Sequence, residues 1–366
     1  MNYLAQLKYH YKPKKGWIND PNGLVWFDGY YHVFYQHAPN FEIPWKESMH
    51  WGHARTRDFL TWEELPIALY PDAPYDLSGC WSGTAIVKDD TLWLFYASTL
   101  KPTPDSPSEQ TVSVAYSTDG INFTKYEGNP IISHYPPEGS RDFRDPAVAC
   151  INGEYYCVMA SGNPDEKVAR LLLYKSTDLL DWKYIGVMSE WQNAKFAECP
   201  SFMQTEDRFL LAASVCHFDH HYFSVMYGSF ENNHFTPEFV GKVDRGPDQY
   251  AGQVFRDHRG RCILISWIPG WKYSGYAERD VGCMSVPREF KCIDGKITAY
   301  PVEEVQHLIK ESDPAVKLTE DGFVIERTGR EPVVYVGEVR EIGIIRDEYI
   351  IEVFVNGGED IYTVLL

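Results

Sequence analysis

Three short stretches carry carboxylates in settings that suit chemistry. Gly16 to Gly23 reads GWINDPNG, with Asp20 between Asn19 and Pro21 and a tryptophan, Trp17, just ahead. Arg144 and Asp145 sit in FRDPA, and Glu198 and Cys199 sit in AECPS. Asn-Asp-Pro-Asn-Gly is turn chemistry, so the plain reading of Asp20 alone is a surface loop. Three acids brought to one place are harder to explain that way. Grouped carboxylates repel, and a fold keeps them mainly where function needs them. Such a set can hold Ca²⁺ or Mg²⁺. It can also hydrolyse a glycosidic bond, one carboxylate acting as nucleophile or base and another as general acid. Asn19, Asn22, Gln36, Trp17, Trp45, Trp51 and Trp81 lie near the acids, and rings with amides suit a sugar. No EF-hand spacing is present. Sugar chemistry is favoured, and neither metal nor cofactor is expected.

The elements that must position these acids are visible as a repeat. Five segments share a polar turn followed by an aromatic or aliphatic run: DGYYHVFYQ, DDTLWLFYAS, NGEYYCVMAS, EDRFLLAASV and RGRCILISWI, starting at Asp28, Asp89, Asn152, Glu206 and Arg259. A second pattern follows the first three, as ARTRDFLTW, AYSTDGINF and YKSTDLLDW. The fourth copy, MYGSFENNHF from Met226, is degraded. Turn signals recur at short intervals and helical periodicity is scarce. Five strand-rich units of this length predict an all-β fold, a five-bladed β-propeller over residues 1–299. Counting back seven or eight residues from each polar turn reaches Asp20, Trp81, Asp145, Glu198 and Ala251. The repeat thus predicts equivalent places for the three acids on the innermost strands, converging at one end of a central channel.

Composition narrows the partners. The net charge of −18 argues against nucleic acid and against an anionic membrane surface. Eight cysteines are scattered without a close pair, so metal and redox motifs are not expected. CHFDHH at 216–221 is a poor metal spacing. No apolar run approaches the roughly 18 residues of a membrane span, and MNYLAQLKYHYKPKKG has no leader-like core. A soluble, cytoplasmic protein with reduced thiols is expected.

WINDPNG at 17–23, RDP at 144–146 and EC at 198–199 resemble the three signature motifs of glycoside hydrolase family 32, the invertases, inulinases, levanases and sucrose-6-phosphate hydrolases. FYQ ending at Gln36, MHWGHA, WSG and VPREF are similar to its lesser motifs. The resemblance implies a propeller followed by a β-sandwich. It also implies retaining hydrolysis of a β-fructofuranoside, with Asp20 as nucleophile, Glu198 as general acid and base, and Asp145 as transition-state stabiliser. The charges of Asp20 and Asp145 would keep Glu198 protonated at the start. Arg144 would touch the same ring and keep Asp145 ionised. Asn19, Gln36, Trp45, Trp81, Ser82 and Trp271 would complete the sugar pocket, with Trp267 a rival to Trp271. Cys199 would shape the Glu198 turn, and Trp51 and Trp62 are core rings. The expected partner is sucrose, sucrose 6-phosphate or a short fructo-oligosaccharide. A phosphate would need a basic subsite, for which Lys46, Lys272 and Arg279 lie in suitable stretches. Transfer to a sugar instead of water is the alternative reaction, and a non-catalytic sugar-binding propeller is the alternative class.

The pattern changes after residue 300. YPVEEVQHLIKES reads as a short helix or linker, and the remainder alternates like antiparallel strands. Residues 300–366 are expected to form an abbreviated β-sandwich-like module. Its apolar end, IYTVLL, could be a sheet edge that pairs with another chain, giving a homodimer.

Overall fold

The computed structural model describes residues 7–41, 46–101, 109–163, 165–268, 282–293 and 295–366. The chain is all-β, and its sheets are built from consecutive antiparallel strands. β1 (Trp17–Phe27), β2 (Tyr30–Ala38), β3 (His50–Thr56) and β4 (Trp62–Leu69) form the first. β5 (Gly79–Lys88), β6 (Thr91–Leu100), β7 (Glu109–Ser117) and β8 (Thr124–Lys125) form the second. The third holds β9 (Asp142–Ile151), β10 (Glu154–Asn163), β11 (Val168–Ser176) and β12 (Lys183–Gln192). The fourth holds β13 (Ala194–Gln204), β14 (Phe209–His217), β15 (His221–Glu231) and β16 (His234–Lys242). The fifth holds β17 (Tyr250–Arg256), β18 (Cys262–Ile268), β19 (Cys283–Met284), β20 (Arg288–Ile293) and β21 (Lys296–Pro301).

Local chemistry explains these hairpins. The repeat's polar turns connect the first and second strands of each sheet. Asp28-Gly29, Asp89-Asp90 and Asn152-Gly153 have positive φ at the residues given, between 45° and 81°. That backbone twist suits tight two-residue hairpins and favours Asp, Asn and Gly. The second repeat pattern is a side-chain-capped turn. Thr56, Ser117 and Ser176 each accept from the N–H three residues on, at 2.9, 2.9 and 3.0 Å. The fourth sheet replaces it with an Asn232-Asn233 turn, φ 52° and 62°, which is why that copy looks degraded.

The sheets pack in a ring. β1 contacts β5, β5 contacts β9, β9 contacts β13, β13 contacts β17, and β17 returns to β1. Apolar clusters fill each gap, for example Trp51 and Phe34 against Leu94 and Tyr96 between the first and second sheets. β2 is almost wholly buried because both of its faces are covered. No helix among the described residues is long and apolar enough to cross a membrane.

After a short 3-10 helix (Glu303–Leu308) come two three-stranded antiparallel sheets. They are β22 (Val316–Thr319), β23 (Gly322–Ile325) and β24 (Val333–Val336), then β25 (Ile342–Asp347), β26 (Ile350–Val355) and β27 (Asp360–Leu365). The expectation that IYTVLL is an open edge is corrected. The segment around Asp244 and Asp248 lies along β27: Arg245 N donates to Ile361 O at 2.8 Å and Asp248 N to Thr363 O at 3.3 Å. A loop of the ring more than a hundred residues earlier covers that edge.

A buried ionic network ties this module to the ring. Arg288, fully buried, donates to Asp244 at 2.7 Å, Glu352 at 2.9 Å and Thr363 at 2.6 Å. His10 meets Glu352 at 2.9 Å and Asp347 at 3.0 Å. Asp347 also accepts the N–H groups of Lys8, Tyr9 and His10. Burial alone would lower the His10 pKa, but the bonds from Asp347 and Glu352 raise it to about 9. A raised histidine stabilises fully below its unfolded value near 6.5, and that contribution is lost as pH climbs through about 9. Unfolding by urea should therefore become easier between pH 6.5 and 9, and His10→Gln should flatten that slope. Glu352→Ala, which takes one of two carboxylates from each of Arg288 and His10 and leaves them Asp244 and Asp347, should cost up to about 3–5 kcal/mol at pH 6.

Candidate active site

The inner strand of every sheet of the ring carries the same irregularity. Two of its residues face one residue of the second strand. Asn19 and Asp20 lie opposite Gln36, and Trp81 and Ser82 opposite Ala97. Asp145 and Pro146 lie opposite Met159, Cys199 and Pro200 opposite Ala213, and Ala251 and Gly252 opposite Ser266. Such bulges bend a strand and re-aim side chains. Asp145, Cys199 and Ala251 adopt positive φ of 57°, 48° and 51°. Non-glycine residues take that conformation at a cost of about 1–3 kcal/mol, and such strain gathers at functional sites.

The bulges correct the expected register. Asp20, Asp145 and Glu198 are not equivalent. Glu198 precedes its bulge, Asp145 is the first bulge residue and Asp20 the second. The convergence nevertheless holds, because the three steps lie at one end of the ring. All three line one cavity of about 250 Å³ with Asn19, Gln36, Trp81, Ser82 and Arg144.

Asp20 is held by donors. Asn19 Nδ2 donates to its Oδ1 at 3.0 Å, Ser82 Oγ to its Oδ2 at 2.6 Å, and the Cys199 thiol to Oδ2 at 3.5 Å. Asn19 is itself fixed by Trp17 Nε1 at 2.6 Å. Burial and then the charge of Glu198 raise the Asp20 pKa, and the three donors oppose the rise. Asp145 accepts from Cys199 N at 2.9 Å. Burial pushes its pKa up to about 7, against the opposing charge of Arg144. Burial also raises the Cys199 thiol well above its ordinary range, so it stays protonated. Its contacts are with Asp20 and Asp145, so it links those two acids in addition to following Glu198.

Arg144 bonds Glu198 and not its chain neighbour Asp145. Its guanidinium donates to Glu198 Oε1 at 3.0 and 3.2 Å and to Asp142 at 3.0 Å, and makes no bond to Asp145. Its bulge turns Asp145 the other way, so Arg144 acts on Asp145 by charge alone. Glu198 Oε2 accepts from the Tyr250 hydroxyl, which also meets Cys216 Sγ at 2.9 Å. Gln36 Nε2 donates to Cys80 O at 3.0 Å. Trp51 is core as expected, and its Nε1 donates to Trp81 O at 2.9 Å, bracing the pocket wall.

Trp45 and Trp271 lie outside the described residues, as do Lys272 and Arg279. Trp267, the rival, is fully buried against Trp17, ring centroids 5.7 Å apart, and lines the cavity. Lys46 is exposed. Sequence reasoning missed Gln110, Asp142, Phe196 and Tyr250, which also line the cavity. Tyr250 and Asp142 had a signal: one precedes the fifth bulge and the other lies two residues before Arg144. In CHFDHH, His217 and His220 stack at 4.6 Å, and the described residues gather no three side chains able to hold a metal.

Residues 10–301 match the family described as "Glycosyl hydrolases family 32 N-terminal domain". A sucrose-6-phosphate hydrolase of Zymomonas mobilis subsp. mobilis is 37% identical over 323 residues, covering 82% of this chain and 62% of its own. A levanase of Bacillus subtilis (strain 168) is 34% identical over 333 residues, covering 82% and 47%. The chain thus spans about 62% of the length of the first of these relatives and less of the second. The Bombyx mori GH32 beta-fructofuranosidase BmSUC1 superposes with a TM-score of 0.86 at 26% identity, over 100% of this chain and 90% of that one. A mutant of it, in complex with sucrose, superposes equally well.

Proposed function

We propose that this chain, which belongs to glycosyl hydrolase family 32, releases fructose from β-fructofuranosides by a retaining double displacement. The observation that carries the reading is that two carboxylates of one cavity are each held in place by hydrogen-bond donors. Asp20 receives three donors, and Glu198 is gripped by Arg144 and Tyr250. In the first step Asp20 attacks the anomeric C2, and the bond from C2 to the leaving oxygen breaks as Glu198 gives that oxygen its proton. In the second, Glu198 takes a proton from water, the water oxygen bonds C2, and Asp20 departs as a carboxylate. Asp145 holds fructose hydroxyls and favours the oxocarbenium-like transition state. Asn19, Gln36, Trp81 and Ser82 complete the sugar pocket. A cavity of about 250 Å³ falls below the roughly 300–1,000 Å³ of pockets for drug-sized ligands. That suits one terminal fructosyl ring.

We also infer that the ring of sheets is one five-bladed propeller over residues 1–299, with 300–366 a separate short module. The five bulged inner strands around a common axis support this. The relatives' names support sucrose, sucrose 6-phosphate and fructans as the substrate class.

The test is fructose release from sucrose, sucrose 6-phosphate and short inulin and levan oligomers, with the first-formed anomer read by NMR. β-Fructofuranose appearing first supports the reading, and an α anomer sinks it. Longer oligomers as the main product would make the enzyme a transferase. Asp20 and Asp145 must be ionised, and both are raised. The acid limb of kcat/KM should therefore lie above the ordinary carboxylate value near 4, toward 7.

Tyr250 acts through Glu198. Tyr250→Phe should lower kcat/KM roughly ten-fold, the worth of one bond to a charged group. The loss should fall on kcat and leave KM nearly unchanged. An unchanged kcat would leave Tyr250 with a packing role only.

A further inference from the structure

The structure assigns an anion-binding platform to the cavity rim on the Glu198 side, and we propose that it receives the phosphate of a phosphorylated leaving-group sugar. This rests on the fructosidase reading above. Phe218 sits between β14 and β15 with 43% of its surface exposed. Two ammonium groups from different segments converge on its ring, Lys195 Nζ at 5.2 Å and Lys167 Nζ at 5.8 Å from the centroid. A backbone bond joins the two segments that carry them. Lys167 adopts φ 57°, and its carbonyl accepts from the N–H of Ala194, the residue before Lys195, at 3.1 Å. Among the described residues neither ammonium forms an ion pair. Glu166, beside Lys167, is taken by Arg170 at 3.2 Å.

The platform is coupled to the site. Phe196, next to Lys195, lines the cavity under the Arg144 guanidinium, 5.0 Å from its ring centroid. Cys216, two residues before Phe218, touches Tyr250, which touches Glu198. Glu198 serves the leaving oxygen, so the leaving sugar lies on this side. An exposed ring can cover the apolar face of a hexose, while two ammoniums answer a phosphate dianion. A chain of net charge −18 repels an anionic substrate at long range, so such a substrate needs a local cation pair to be preferred.

The experiment compares kcat/KM for sucrose 6-phosphate and for sucrose in wild type, Lys167→Gln, Lys195→Gln and the double variant. Wild type should favour the phosphorylated sugar at least ten-fold. Each substitution should cut that preference roughly ten-fold, the scale of a charge-assisted bond, and leave sucrose turnover within about two-fold. Glucose 6-phosphate should inhibit sucrose hydrolysis better than glucose does, and the double variant should lose that difference. Sucrose turnover with no wild-type preference, or with a preference the double variant keeps, overturns the platform and leaves the fructosidase standing. No turnover of either substrate overturns both.

Discussion

Asp20→Asn should abolish fructose release, lowering kcat by roughly 10⁴-fold or more while sucrose still binds. The size follows from the bond at stake. An amide cannot form the ester to C2 through which the double displacement runs, and no neighbour can replace it. The Cys199 thiol is the nearest other nucleophile, but burial and three surrounding carboxylates hold it protonated. The loss should not reflect unfolding. With the amide oxygen at the Oδ2 position, Ser82 and Cys199 still donate to it and only the Asn19 bond is lost, while removing a buried charge beside Glu198 relieves repulsion. Calorimetric binding of sucrose and an unchanged or higher melting temperature would separate lost chemistry from lost structure. Residual activity above a few per cent would remove Asp20 from the nucleophile's place.

Glu198→Gln should cost roughly 10²–10⁴-fold in kcat on sucrose, the usual span for a positioned acid or base. The shape of the loss matters more than its size. The glutamine oxygen can still accept from Arg144 or Tyr250, so the rotamer is held and only proton transfer is removed. An activated fructoside whose leaving group needs no proton should show a rapid first step followed by a stalled fructosyl-enzyme. Azide, a nucleophile that needs no base, should release the stalled sugar as the β-fructosyl azide. Equal losses on sucrose and on the activated fructoside, without azide rescue, would contradict the acid-base role. The two variants also differ in product, since azide acting without the covalent intermediate can attack C2 only directly and would give the inverted α-fructosyl azide.

Much of this site is written locally. Asp20, Asp145 and Glu198 each stand in a short motif because each bulge is built from a few consecutive residues. The repeat was legible for the same reason: the Asp28-Gly29 and Asn152-Gly153 turns are two-residue hairpins with their own chemistry. The degraded fourth copy marked a real change of turn. The register was not legible. Distances along the inner strands differ, because β1 contains a second irregularity between Asn22 and Val25, and the turns after β13 and β17 are longer than the two-residue hairpins of the first three sheets. Counting from turns therefore slides the acids by one residue against their bulges. Only the paired strands reveal that slip.

The sequence by itself determined an all-β repeat, three acids on inner strands and a sugar-like setting of rings and amides. Those depend on residue type and short spacing alone. Tertiary structure decided which partners those residues meet. Arg144 turns to Glu198 and not to Asp145, and Tyr250 and Phe196 join the cavity from neighbouring sheets. The edge of β27 is closed by the Asp244 to Asp248 segment, and Lys167 and Lys195 meet over Phe218. Each is a contact between segments that ring closure brings together, and no local propensity encodes which faces will touch.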